Sequence, residues 1–139
     1  MQSEPATFMR WQAEVKPILM SMMGALYFAQ DATSRGPQAL LSASDQLLAA
    51  SNHAACWIPT HRCPVSDLDG MLTKMTRSYA GASQLLEAEA KSPSGPDRKT
   101  LDLELNSLIG MLAVMWSVMR ELTGATADRE LAHRPEGPG

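Results

Sequence analysis

A regular spacing of large apolar residues near the end of the chain limits the fold more than any other feature of the sequence. Leucine or methionine recurs at alternating steps of four and three: Leu101, Leu105, Leu108, Leu112, Met115, Met119 and Leu122. This spacing places the side chains on one face of an α-helix, whereas a β-strand would require alternation at every second residue. The sequence therefore predicts a long amphipathic helix that starts near residue 97 and ends at Thr123-Gly124.

Three earlier segments show the same helical periodicity, at residues 3–35, 37–58 and 66–91. The first contains Pro17, which removes one backbone donor and is expected to kink the helix. The second begins at Pro37, a residue that fits the first turn of a helix. The third begins at Ser66, which we expect to cap the helix through its hydroxyl.

These four helices, joined by short connections, favour antiparallel neighbours. The chain is therefore predicted to be an all-α, up-down-up-down four-helix bundle. The composition agrees, because helix-forming alanine and leucine are abundant whereas valine and isoleucine are scarce. The ten methionines predict a methionine-rich core. We expect residues 1–124 to form one domain and the proline- and glycine-rich residues 125–139 to form a flexible tail.

Charge and hydropathy argue against several classes of protein. The net charge of −3 is unlike that of a nucleic-acid binder, whose affinity depends on a basic surface. The first residues contain no basic region before an apolar run, so we expect no secretory signal and a cytoplasmic protein. The uncharged runs at residues 17–30 and 105–119 are shorter than the ~18–20 residues of a membrane span, and are more typical of core helices.

The charges are unevenly distributed along the chain. Residues 1–60 carry only seven formal charges, and the centres of the first and fourth helices are uncharged around their whole circumference. The fourth helix also has a second line of mostly small residues: Asn106, Gly110, Ala113 and Ser117. Small residues let another helix approach closely and gain dispersion contacts. We therefore expect a second subunit, most simply in a homodimer, or a helical protein partner to cover these two helices.

The predicted contact residues lie on the first and fourth helices. They are Trp11, Met22, Met23, Phe28, Gly110, Ala113, Trp116 and Ser117, with Met111 as a further anchor. The alternative function is the binding of a small apolar ligand in a pocket between the helices, lined by methionine and tryptophan. Flexible methionine side chains suit both roles, because they adapt to irregular surfaces.

The residues that bind metals most readily cluster near the end of the second helix. His53, Cys56, His61 and Cys63 have the right identities for tetrahedral zinc, although their spacing matches no standard zinc finger. Two further alternatives stay open. The two cysteines could form a disulfide that closes the connection, or both could remain reduced thiols.

The sequence carries no nucleotide-binding, metalloprotease or serine-hydrolase motif. One Glu-x-x-His, from Glu130 to His133, lies in the predicted tail, whereas a di-iron bundle needs two such motifs and inward-facing carboxylates. Our leading interpretation is a non-enzymatic helical bundle without a cofactor, which acts by self-association or protein–protein interaction. Zinc at the histidine–cysteine cluster is the alternative.

Overall fold

The computed structural model describes residues 4–93, 95 and 98–133 of the chain, and it is almost entirely helical. The helices are α1 (Glu4–Ala32), α2 (Pro37–Trp57), α3 (Ser66–Lys91) and α4 (Arg98–His133), with one 3₁₀ turn at Ile58–Thr60. The described residues contain no strand. Each helix packs against the next along the chain, and α4 packs back against α1. The all-α, up-down-up-down bundle predicted from the sequence is confirmed.

The connection between α1 and α2 is a tight turn that depends on a glycine. Gly36 has a φ of 103°, a region that side chains with a Cβ rarely adopt. Its carbonyl accepts a hydrogen bond from the backbone N–H of Leu40 at 3.1 Å, and Pro37 follows in the first turn of α2 as predicted. The chain therefore reverses direction within a few residues.

The start of α3 differs from the sequence prediction. Ser66 is the first helical residue of α3 rather than its cap. The capping position belongs to Val65, whose carbonyl accepts the N–H groups of Leu68 and Asp69. Helix α1 contains Pro17 within its length, as the sequence predicts.

The predicted end of α4 at Gly124 is also wrong, because the helix continues to His133. One glycine costs a helix only about 1 kcal/mol, and the residues that follow it are mostly good helix formers. The first strong breaker after Gly124 is Pro135, which disfavours helical geometry at the residue before it. The helix therefore extends into the segment predicted as a tail, and residues 134–139 lie outside the described residues.

The apolar series of α4 forms its buried face. From Leu101 to Met119 every member of the series is at most 2% exposed, whereas Leu122 is half-buried. The core also contains methionines from three of the helices: Met22, Met75, Met115 and Met119. Other methionines lie outside it, and Met20 is 65% exposed.

Hydrogen bonds between small polar residues join α2 to α3 inside the bundle. The hydroxyls of Ser44 and Ser83 are 2.8 Å apart, and each also lies 2.8 Å from the other residue's carbonyl oxygen. Two turns further along α2, the hydroxyl of Ser51 donates to the carbonyl of Thr76 at 2.8 Å. Small side chains let the two helices approach closely, and the hydrogen bonds satisfy their buried polar atoms.

A tyrosine makes the corresponding link between α3 and α1. The side chain of Tyr79 is fully buried, and its hydroxyl donates to the carbonyl of Met22 at 2.8 Å. Burial raises the pKa of the Tyr79 phenol far above its ordinary value. The hydroxyl therefore stays protonated and continues to donate at neutral and mildly alkaline pH.

We expect Tyr79→Phe to lower the free energy of unfolding by about 1–2 kcal/mol, because the buried donor and its bond to Met22 are lost. The matched control is Tyr27→Phe, since Tyr27 is 52% exposed. That change should alter stability by less than about 0.5 kcal/mol. Chemical denaturation followed by circular dichroism measures both. Equal stability of the two variants would contradict the structural role of the Tyr79 hydroxyl.

Candidate functional site

The middle of α1 and of α4 presents an exposed surface without charged residues, which we call the α1–α4 face. It comprises Tyr27, Gly110, Ala113, Val114 and Ser117, all of them exposed. Two of these are large side chains, since Tyr27 and Val114 are each more than half exposed. The surface thus combines large apolar groups with small residues that leave the helix backbone accessible.

Helix α4 is apolar well beyond its buried face. The stretch Arg98–Gly124 is long and apolar enough to cross a membrane, by length and composition alone. Core helices of water-soluble proteins pass the same test, so a single such helix is weak evidence for a membrane span. Only 28% of the most apolar part of this stretch is buried inside this chain. Helix α4 therefore carries apolar surface that its own bundle leaves uncovered.

The predicted contact residues divide into three groups in the structure. Gly110, Ala113 and Ser117 are exposed on the α1–α4 face. Four others are half-buried: Met23, Phe28, Met111 and Trp116.

The last two, Trp11 and Met22, are core residues of the single chain, at 4% and 0% exposure, so a partner can reach neither of them. The indole Nε1 of Trp11 donates to the carbonyl of His61 at 2.9 Å, which ties it to the α2–α3 connection. Their place in the predicted contact surface therefore has to be corrected. Both belong to the apolar stripe that α1 turns toward its own bundle.

An apolar hollow of about 180 Å³ lies between α1 and α4, next to the exposed face. Its lining is Met23, Leu26, Tyr27, Ile109, Leu112, Ala113 and Trp116. The indole Nε1 of Trp116 is buried and has no hydrogen-bond acceptor among the described residues. A buried N–H without an acceptor is costly, so this donor is a notable polar feature in an apolar region.

A second hollow of about 310 Å³ lies further along the same pair of helices and shares Trp116 with the first. Its lining is more polar and includes the cationic Lys16 and Arg120. Here the hydroxyl of Thr123 lies 2.6 Å from Oε1 of Gln12 and bridges the two helices. We call the two hollows together the α1–α4 groove.

The opposite end of the groove also has a polar bridge. The side-chain Nε2 of Gln30 donates to Oδ1 of Asn106 at 3.2 Å. Polar residues thus connect α1 and α4 at both ends, whereas the segment between them is apolar. This arrangement leaves room between the helices in the middle of the bundle.

A different groove lies on the other side of α1, against α2. It has a volume of about 540 Å³, and its lining includes Met20, Gly24, Phe28 and His53. Phe28 therefore faces α2 rather than α4, which separates it from the other predicted contact residues. His53, at the same place, lies at the surface.

The four residues predicted as zinc ligands do not come together. The described residues include no group of three or more His, Cys, Asp or Glu side chains that could hold a metal ion. His61 instead stacks on Trp57, with ring centroids 4.5 Å apart, and its Nδ1 lies 2.8 Å from the hydroxyl of Thr60. The chain turns between α2 and Cys63, and this turn places the histidines and cysteines in different environments.

The two cysteines are free, and they differ in exposure. Cys56 is exposed whereas Cys63 is buried, so the alternative of a disulfide between them does not hold in this structure. Burial raises the pKa of the Cys63 thiol to about 11. The hydrogen bond from the N–H of Val65 opposes part of this rise, and the nearby Asp69 carboxylate adds a smaller increase. A protonated, buried thiol is a poor nucleophile.

An ion pair holds the connection around Cys63 in place. Nη2 of Arg62 lies 2.6 Å from Oδ2 of Asp69, a carboxylate that is 9% exposed. The other oxygen of Asp69 accepts the backbone N–H of Cys63 at 3.3 Å. Asp69 thus organises the connection as well as the first turn of α3. Nothing in the sequence marked this role except the position of Asp69 in a first helical turn.

Comparison with protein-family models, with curated proteins and with solved structures finds no match to this chain. Function is therefore inferred from the surface and the groove described above.

We expect a thiol-specific reagent at pH 8 to modify one cysteine per folded chain rapidly. A pKa of about 11 instead of the ordinary 9.0 lowers the thiolate fraction of Cys63 by about 100-fold, even before its burial is considered. Both thiols should react once the chain is unfolded. The Cys56→Ala variant should lose the rapid phase, and the Cys63→Ala variant should retain it. Rapid reaction of both thiols, or of neither, would contradict the structure.

Proposed function

We propose that this protein is a non-enzymatic helical bundle that forms a homodimer through the α1–α4 face. The observation that carries the proposal is the exposed surface of α4, where Gly110, Ala113, Val114 and Ser117 follow one another without a charged residue. A monomeric bundle usually turns a charged face of each helix to water. Here the uncharged face and the exposed face of α4 coincide.

The physical driving force for the dimer is burial of apolar surface. Continuous apolar patches larger than a few hundred Å² are rare on monomeric proteins and often mark interaction sites. Gly110, Ala113 and Ser117 are small, so a partner helix can come close to the backbone of α4. Tyr27 and Val114 then supply large side chains to the contact. A twofold axis that pairs the face with itself is the simplest closed assembly.

The remaining polar groups support a non-enzymatic role. The buried carboxylate of Asp69 is paired with Arg62, and that of Glu89 lies 3.6 Å from Nη1 of Arg98. These ion pairs stabilise the connections before α3 and before α4, which is a structural role. The proposal includes a cytoplasmic location, where thiols such as those of Cys56 and Cys63 stay reduced.

We expect Gly110→Glu to convert the protein from dimer to monomer. A Cβ at Gly110 meets no atom within 4 Å, so the charged side chain is tolerated by the folded chain but not by an apolar interface. The mass measured by light scattering should fall from about 30 kDa, twice the chain mass of 15.1 kDa, to the mass of one chain.

Gly81→Glu is the matched control for this experiment. Gly81 is an exposed glycine in the middle of α3, and a Cβ there also has open space. Both changes replace glycine with a better helix former, so neither should destabilise its helix. The Gly81→Glu variant should remain dimeric. A wild-type protein that is monomeric at micromolar concentration would overturn the proposal.

A further inference from the structure

The α1–α4 groove has an apolar part and a cationic part. The hollow between Met23 and Ala113 is slightly larger than engineered cavities of about 150 Å³ that hold a benzene molecule. The adjoining hollow contains Lys16 from α1 and Arg120 from α4, so both walls contribute a positive charge at the same end. Neither cation has an ion-pair partner within 4.0 Å in the part of the chain that the structure describes.

Trp116 stands where the two parts of the groove meet, since it lines both hollows. Its buried indole N–H has no acceptor among the described residues. An oxygen atom on a bound molecule would supply that acceptor, while the rest of the molecule filled the apolar part. The groove therefore offers, in order, two cations, one hydrogen-bond donor and an apolar hollow.

We propose that the α1–α4 groove binds a small anionic amphiphile, an alkyl carboxylate. The carboxylate lies between Lys16 and Arg120 and accepts the indole N–H of Trp116, and the alkyl chain extends from there toward Tyr27. Lys16 and Tyr27 are eleven residues apart on α1, which corresponds to about 16 Å of helix. A carboxylate with a chain of about ten carbons fits within this length. The ligand site uses the space between the helices, and it goes beyond the proposed dimer contact.

The cations give the site its selectivity. A positively charged or neutral head group would leave Lys16 and Arg120 without a counter-charge, whereas a carboxylate forms charge-assisted hydrogen bonds with both. The apolar hollow alone would accept any of these alkyl chains. Discrimination between head groups therefore reports the role of the cations rather than nonspecific hydrophobic binding to the surface.

The test is calorimetric titration with three ten-carbon probes below their micelle concentrations: decanoate, decanol and decyltrimethylammonium. We expect decanoate to bind once per chain and at least about tenfold more tightly than the other two. The double change Lys16→Gln and Arg120→Gln should weaken decanoate binding by about tenfold or more. Arg77→Gln, an exposed arginine on α3, is the matched control and should leave binding unchanged.

Ala113→Leu tests the apolar part separately, because a larger side chain fills the hollow and should abolish binding while circular dichroism shows an intact helical fold. All titrations are repeated with the Gly110→Glu variant, in which the proposed dimer is broken. Binding of decanoate by that variant supports the groove even if the dimer proposal fails. Equal affinity for decyltrimethylammonium, no effect of the double change, or no saturable binding to either form would overturn the ligand proposal.

Discussion

The close packing of α2 against α3 sets the shape of the bundle. Ser44 and Ser83 exchange hydrogen bonds across the two helices, and Ser51 adds a further bond to Thr76, all of them buried. Side chains this small draw the two backbones together. The opposite pair, α1 and α4, meets through large residues such as Trp116 and through polar bridges at its ends. The bundle is therefore tight on one side and leaves a groove on the other.

The distribution of charge follows the same asymmetry. Helix α3 has acidic residues in its first turn and a lysine in its last, as its dipole favours. The middle of α4 has no such groups, although Gly110 and Val114 are exposed. A stripe of apolar residues is enough to fold α4 onto the core, and the uncharged outer side adds nothing to that folding within one chain. This excess of apolar surface is the physical basis of both proposals.

Apolar periodicity predicted most of the fold. The stripe from Leu101 to Met119 is buried as expected, and the breaks at Gly36-Pro37 and before Ser66 separate helices. The periodicity could not predict the end of α4, because one glycine is a weak stop signal when helix formers follow it. It also could not predict that Val65 rather than Ser66 takes the capping position of α3, because that position depends on the local backbone as well as on residue type.

Less of the candidate site than of the fold could be predicted from the sequence. Where a helix is uncharged on all sides, no charged residue marks which side faces water, so the sequence alone does not separate buried Met22 from exposed Gly110. The groove needs two helices at once, and no local pattern reports such pairing. One signal was present: Lys16 and Arg120 lie directly outside the two uncharged runs.

The bond from Trp11 to the carbonyl of His61 joins the start of the chain to a loop fifty residues later. Trp57 lies between them in space, stacked on His61 and 6.2 Å from the ring of Trp11. Arg62 and Asp69 then fasten the same loop to α3. Aromatic residues of α1, α2 and this loop thus form one cluster at this end of the bundle, and the ion pair connects the cluster to α3. We expect local opening there to be collective, because the contact of Trp11 ties α1 to a loop as well as to its own helix.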